Sequence, residues 1–216
     1  MLLGDERARV CEYARRMVTD GLVVGTSGNV SLRSGDRVAV TPTGVDYATL
    51  RPEDIPVVAL DGSAVEGSLG PTSELPMHLT VYREAVDPDD APITAVVHTH
   101  SVHATAVSTV TDEVPPVHYI LATLGPSVRV APYATYGTTE LAESMLTALE
   151  GRRGCLLGNH GTLTYGADLP SAYHRAQQLE WACQLWLLAR SAGTPRLLPR
   201  AEIEHVVERL RSYGQR

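Results

Sequence analysis

The sequence predicts an α/β protein built on a largely antiparallel sheet. Segments of helical apolar spacing alternate along the chain with short β-branched runs, and Gly and Asp turns separate several of those runs in the manner of hairpins. With 216 residues, 44% of them hydrophobic, the chain can bury one sizeable core, so a single domain over residues 1–216 is expected.

In chain order, residues 5–20 carry Val10, Ala14, Met17 and Val18 at helical spacing and stop at Gly21. Val30–Arg33, Arg37–Thr41 and Ile55–Leu60 read as strands, punctuated by Ser34-Gly35-Asp36 and Asp61-Gly62. Ser73–Val86 returns to helical spacing, with Leu79, Tyr82 and Ala85 inward, and Ile93–Thr99 reads as a strand. A helix starts within Val102–Ser108, and strands near Arg129–Ala131 and Gly154–Leu157 flank a helix over Thr139–Leu149. A long helix from Pro170 to Ala192 buries Leu179, Cys183 and Trp186, and a last helix, Glu202–Leu210, leads to the tail Ser212–Arg216. The chain shows no internal repeat and no low-complexity tract.

Charge and composition narrow the function. Twenty-five acidic against 18 basic residues, a formal charge of -7, argue against a face that neutralises nucleic-acid phosphates, yet leave room for a small anion held by local amides. Cys11, Cys155 and Cys183 are odd in number and lack CxxC spacing, which suits reduced thiols. The N-terminus lacks a secretory signal and no segment approaches the roughly 18 apolar residues of a membrane span, so a soluble cytoplasmic protein is expected. The chain contains no lysine, which removes Schiff-base catalysis because that chemistry needs a primary amine.

The chemistry centres on three histidines. In Ala95-Val-Val-His-Thr-His-Ser101, His98 and His100 stand two apart on a strand, so both project from one face and can reach one ion. His160, in Leu156-Leu-Gly-Asn-His-Gly161, is a third candidate, and three protein ligands with a vacant position mark a catalytic metal site. An HxH alone is more often two ordinary histidines. Two glycine and hydroxyl loops, Gly25-Thr26-Ser-Gly-Asn29-Val-Ser31 and Thr41-Pro-Thr43-Gly44, suit a phosphate, although such loops are usually plain turns. In Pro71-Thr72-Ser73-Glu74-Leu-Pro76 hydroxyls precede a helix whose free amides favour an oxyanion. Glu74 there is open to three roles: a carboxylate at the helix cap, a metal ligand, or a general base.

These segments, together with Val97-His-Thr-His100, Pro132-Tyr-Ala-Thr-Tyr-Gly-Thr138 and Val117-His-Tyr-Ile120, resemble the class II aldolase/adducin family in order and spacing over nearly the whole chain. The resemblance implies a three-layer α/β/α fold around a mostly antiparallel sheet, assembled as a homotetramer with sites between subunits. It implies one Zn²⁺ per subunit on His98, His100, His160 and Glu74, with Glu74 also the acid/base. Thr26, Asn29, Thr43, Gly44, Thr72 and Ser73 fall where the family holds the substrate phosphate; Tyr119 matches a tyrosine that enters a neighbouring subunit's site, and Tyr213 one on the C-terminal tail. The reaction it implies is reversible cleavage of a phosphorylated sugar, a ketose 1-phosphate, to dihydroxyacetone phosphate and an aldehyde, with L-fuculose 1-phosphate the first expectation and L-lactaldehyde its aldehyde. A 5-deoxypentulose 1-phosphate is the alternative. Epimerases of the family carry Asp where this chain has Glu74, and adducin-like binding domains lack the metal set; dehydratases are harder to separate. Tyr136 departs from an expected phenylalanine, which puts the aldehyde pocket in question.

Overall fold

The protein, described here from a computed structural model over residues 1–210, has one eight-stranded sheet between helical layers. The strands are β1 (Asn29–Ser34), β2 (Arg37–Val40), β3 (Val57–Ala59), β4 (Ala64–Glu66), β5 (Ala95–Thr99), β6 (Val130–Ala131), β7 (Gly154–Leu157) and β8 (Gly161–Gly166). Their spatial order is β4-β3-β2-β1-β5-β8-β7-β6, and every pairing is antiparallel except β6 with β7. The helices are α1 (Gly4–Thr19), α2 (Leu75–Glu84), α3 (Val102–Ser108), α4 (Thr139–Leu149), α5 (Leu169–Ala192) and α6 (Arg200–Leu210).

The strand period of two explains the layering. On β5, Ala95 and Val97 turn to one face and pack with Val30 and Leu32 of β1 against α1 and the start of α5. Val96 turns to the other face, among residues of α2, α4 and β8. The expected three-layer α/β/α arrangement is therefore present. His98 follows Val96 in register and faces α2, a geometry that places the site.

Boundaries shift for local reasons. Pro52–Asp54 form a 3₁₀ turn, and Pro56 lacks an N–H, so the third strand shortens from the expected Ile55–Leu60 to Val57–Ala59. Val18, expected on the buried face of α1, is 44% exposed, because the buried stripe runs through Val10, Ala14 and Met17. The helix expected over Ser73–Val86 is Leu75–Glu84, so Glu74 caps it and stands before its first turn. Two strands were absent from the sequence reading. β4 is three exposed residues, and β8, Gly-Thr-Leu-Thr-Tyr-Gly, is short and buried throughout, with Leu163 and Tyr165 on one face and Thr162 and Thr164 on the other. Its Thr162 hydroxyl meets that of Thr99 at 2.7 Å and its Thr164 hydroxyl donates to the Ala172 carbonyl at 2.8 Å, which lets threonines lie inside. The three cysteines are all buried and unpaired.

Candidate metal centre and cleft

β5 and the β7–β8 hairpin bring the histidines together. Asn159 adopts the left-handed conformation (φ 54°), which Asn tolerates better than most residues, and lets Leu157 pair with Gly161 around a three-residue turn that carries His160. Gly161 then passes so near β5 that a Cβ there would lie 2.1 Å from the Thr99 carbonyl oxygen. Only glycine permits that approach. The imidazoles of His98, His100 and His160 form a near-equilateral triangle with ring centroids 4.8 to 4.9 Å apart.

Glu74 closes the group from α2. Its Oε2 lies 3.0 Å from His98 Nε2 and its Oε1 3.1 Å from His160 Nε2, and one ligand atom from each of the four residues lies within 4.8 Å of the others. The Glu74 side chain makes no capping bond to its own helix. Its position is thus given over to the histidines.

The donor chemistry fits a cation. His98 Nδ1 faces the Thr162 carbonyl at 2.8 Å, an acceptor only, so Nδ1 carries a hydrogen and Nε2 is the atom that can present a lone pair to a cation. That lone pair faces Glu74 Oε2 and, at 2.9 Å, His100 Nε2. With His98 neutral, its Nε2 and the Glu74 carboxylate are two acceptors 3.0 Å apart, a contact that a cation between them relieves. Glu74 Oε1 is buried with no aligned hydrogen bond among the described residues, although His160 lies beside it. Burial works to raise the Glu74 carboxyl, but the charge of His98 and close contacts with His160, His98 and Asn29 hold it well below the usual carboxylate range. Burial, with the charges of His98 and His160, pushes His100 down to about 3, so its ring is neutral and able to ligate near neutral pH.

A cleft of about 560 Å³ opens over this group. His100, His160 and Glu74 form its floor, while His98, fully buried, lies beneath. Thr26, Asn29, Thr43, Gly44, Thr72 and Ser73 all line it, so the three hydroxyl and glycine segments meet at one place. A bridge between Pro42 and Pro71, with Thr43 N donating to Gly70 O at 3.2 Å and Thr72 N to Thr41 O at 3.0 Å, ties two of those segments together. Gly28 (φ 72°) sits where a Cβ would meet Val23 and the His98 carbonyl, which holds the first segment against the metal strand. None of the lining residues is an arginine, and the chain has no lysine, so an anion here rests on hydroxyls, amides, the start of α2 and a metal.

Other candidates fall differently. Tyr119 is 52% exposed, stacks on His118 at 4.4 Å and does not line the cleft of its own chain. Tyr213 lies outside the described residues. His103 stays out of the cluster: Glu180 of α5 accepts from its ring at 2.6 Å and from the amides of His103 and Ala104, steadying the segment after His100. Tyr47, Tyr133 and Asn159 line the cleft without having been singled out. Tyr47 carried no local signal, because its place comes from the bond its hydroxyl donates to the Gly28 carbonyl at 2.5 Å.

Fold and site together define an α/β protein of the aldolase type with a candidate metal site. Residues 8–187 match the family model described as Class II Aldolase and Adducin N-terminal domain, and the chain belongs to that family. It is 39% identical, over 100% of both chains, to 5-deoxy-D-ribulose 1-phosphate aldolase of Bacillus thuringiensis serovar kurstaki. It is 37% identical to L-fuculose phosphate aldolase of Escherichia coli strain K12 over 96% of this chain and 95% of the relative. A solved L-fuculose 1-phosphate aldolase superposes with TM-score 0.91 at 36% identity, covering 98% of each chain. Among the described residues no helix is long and apolar enough to cross a membrane.

Proposed function

We infer that the protein is a metal-dependent aldolase that cleaves a short deoxyketose 1-phosphate between C3 and C4. The preferred substrate is 5-deoxy-D-ribulose 1-phosphate, which yields dihydroxyacetone phosphate and acetaldehyde. The observation that carries the reading is the Glu74, His98, His100 and His160 cluster at the floor of a cleft walled by hydroxyl and glycine loops, in a chain without lysine. The full-length similarity to a 5-deoxy-D-ribulose 1-phosphate aldolase supports the pentulose, and the cleft's outer wall of Val24, Tyr133, Ala134 and Tyr136 suits a methyl terminus. L-fuculose 1-phosphate, the first expectation from sequence, is the second reading, supported by the solved relative at TM-score 0.91.

Three imidazoles and a carboxylate are a donor set suited to Zn²⁺, one per subunit. When bound there, the ion supplies Lewis-acid stabilisation, worth several kcal/mol, of charge developing on substrate oxygens. The residues do the rest. Thr26, Asn29, Thr43, Gly44, Thr72 and Ser73 hold the phosphate, so binding energy at the remote end orients the C3–C4 bond. In condensation the ionised Glu74 takes a proton from the hydroxymethyl carbon of dihydroxyacetone phosphate, and in cleavage it returns that proton to C3. Tyr119 accepts the C4 hydroxyl proton in cleavage and donates it in condensation. Because Tyr119 is exposed and away from its own cleft, this role places it in the cleft of a neighbouring copy, in keeping with a homotetramer.

A coupled assay for dihydroxyacetone phosphate, run on both ketose 1-phosphates, tests the reading. The expected result is release from both, with kcat/KM about tenfold higher for the pentulose. Preference for L-fuculose 1-phosphate would overturn the substrate assignment, and release from neither, with metal-loaded protein, would overturn the aldolase.

A further inference from the structure

Beneath the cleft a row of buried polar side chains runs from Glu74 into the protein. Asn29 Nδ2 donates to Glu74 Oε2 at 2.9 Å, Asn29 Oδ1 meets His78 Nε2 at 2.5 Å, His78 Nδ1 lies 2.7 Å from the Ser31 hydroxyl, and that hydroxyl is 2.7 Å from the hydroxyl of Tyr82. His78 and Ser31 are wholly buried and Asn29 is 3% exposed. The backbone explains the meeting. Asn29 and Ser31 stand two apart on one face of β1, and α2 crosses that face, so a residue one turn beyond Glu74 reaches both.

The inventory of donors allows one wiring. A carboxylate only accepts, so the NH₂ of Asn29 faces Glu74 and its carbonyl oxygen faces His78. That oxygen also only accepts, so His78 Nε2 carries the hydrogen. The neutral ring then offers a lone pair at Nδ1, which takes the Ser31 hydrogen, and the Tyr82 hydroxyl shares its hydrogen between the Ser31 oxygen at 2.7 Å and the Thr94 carbonyl at 3.3 Å. Burial, with the nearby charge of His98, pushes His78 down to about 3, which agrees with a neutral ring.

We propose that His78 is a positioning residue for the metal centre: its Nε2–H fixes the Asn29 amide so that one Nδ2 hydrogen holds Glu74 while the other is presented to a phosphate oxygen in the cleft. Turned over, the amide would set its oxygen against the Glu74 carboxylate. The ring thus acts on both the metal ligand and the anion site without touching either ligand. The functional consequence rests on the aldolase reading, whereas the wiring does not.

The test is a Zn²⁺ titration of metal-stripped full-length protein in competition with a chromophoric chelator. Wild type is compared with His78→Leu, His78→Gln, Asn29→Ala and the His78→Leu/Asn29→Ala double variant, with KM for the ketose phosphate measured in parallel. His78→Leu is expected to lose about ten- to a hundredfold in Zn²⁺ affinity, as removal of outer partners of metal ligands does, and to raise KM. His78→Gln, which keeps an N–H near the same point, should recover most of both. The double variant should bind no more weakly than Asn29→Ala alone, because His78 acts through Asn29. A folded His78→Leu protein with wild-type affinity, or losses that simply add in the double variant, would overturn the proposal. If His78→Leu does not fold, Ser31→Ala decides: several-fold weaker Zn²⁺ binding supports the wiring and unchanged binding overturns it. A wild-type chain that takes up no Zn²⁺ would overturn the metal-site reading itself, and this proposal with it.

Discussion

Replacing Gly161 with alanine asks whether the hairpin that carries His160 has room to move. A Cβ at this position would lie 2.1 Å from the carbonyl oxygen of Thr99 and 3.1 Å from its carbon. An ordinary carbon–oxygen contact is about 3.3 Å, so β8 must retreat from β5 by about 1.2 Å. Thr99 sits between His98 and His100, and Gly161 follows His160, so the retreat falls on the three clustered histidines. Misplacement by about 1 Å can cost about a hundredfold in rate, and overpacking costs about 1–3 kcal/mol in stability. Gly161→Ala should therefore fold, unfold at lower urea concentration, bind Zn²⁺ weakly and lose about a hundredfold in kcat/KM in the dihydroxyacetone phosphate assay. Gly70→Ala is the control, because a Cβ there meets nothing within 4 Å; its stability should stay within about 0.5 kcal/mol of wild type. A Gly161→Ala enzyme within about threefold of wild type in activity and Zn²⁺ affinity would refute the claim that this close approach sets the ligand geometry.

Glu74→Gln should abolish turnover and weaken Zn²⁺ binding at least as much as His78→Leu, while still holding about one Zn²⁺ per chain at saturating metal; a fully active variant would contradict the acid/base role. Arg153 grips Asp87 through two bonds of 2.8 Å, and Arg153→Ala, which strands a buried carboxylate, should cost about 3 kcal/mol by urea unfolding near neutral pH. Burial works to raise the Asp87 carboxyl, but Arg153 and nearby amides hold it below its usual range. Its contribution is thus full above the unfolded carboxylate pKa and fades as pH falls through the folded value. An Arg153→Ala deficit that did not shrink in acid would contradict this. Tyr119→Phe should lower kcat with little change in KM, and mixing it with Glu74→Gln subunits should restore part of the activity if Tyr119 serves a neighbour's cleft. Mixed oligomers with no recovery would remove that role.

Much of the fold was legible because it rests on local pattern. α4 and β7 occupy the stretches their periodicity marked, and α5 buries Leu179, Cys183 and Trp186 as expected. β8 was missed although Thr162-Leu-Thr-Tyr165 alternates, because four residues between two glycines are a short signal and the burial of its threonines depends on partners outside the segment, Thr99 and the Ala172 carbonyl. The HxH spacing put His98 and His100 on one face, and the structure brings His160 and Glu74 to them, as the family resemblance implied. His78 lies within α2 and carries no local signal of its role. Its link to Asn29 crosses 49 residues, and depends on how α2 lies over β1, which no local spacing reports. Tyr119 does not line the cleft of its own chain, so the fold of the single chain gives it no place at the site.

The most direct test of the account is metal reconstitution. The protein is stripped with a chelator, its metal content is measured, and dihydroxyacetone phosphate release from 5-deoxy-D-ribulose 1-phosphate is followed as Zn²⁺ is returned. The account predicts that the stripped protein is inactive and that activity rises linearly to one Zn²⁺ per chain. Full activity in metal-free protein, or none at one equivalent of bound Zn²⁺ with either ketose phosphate, would contradict it.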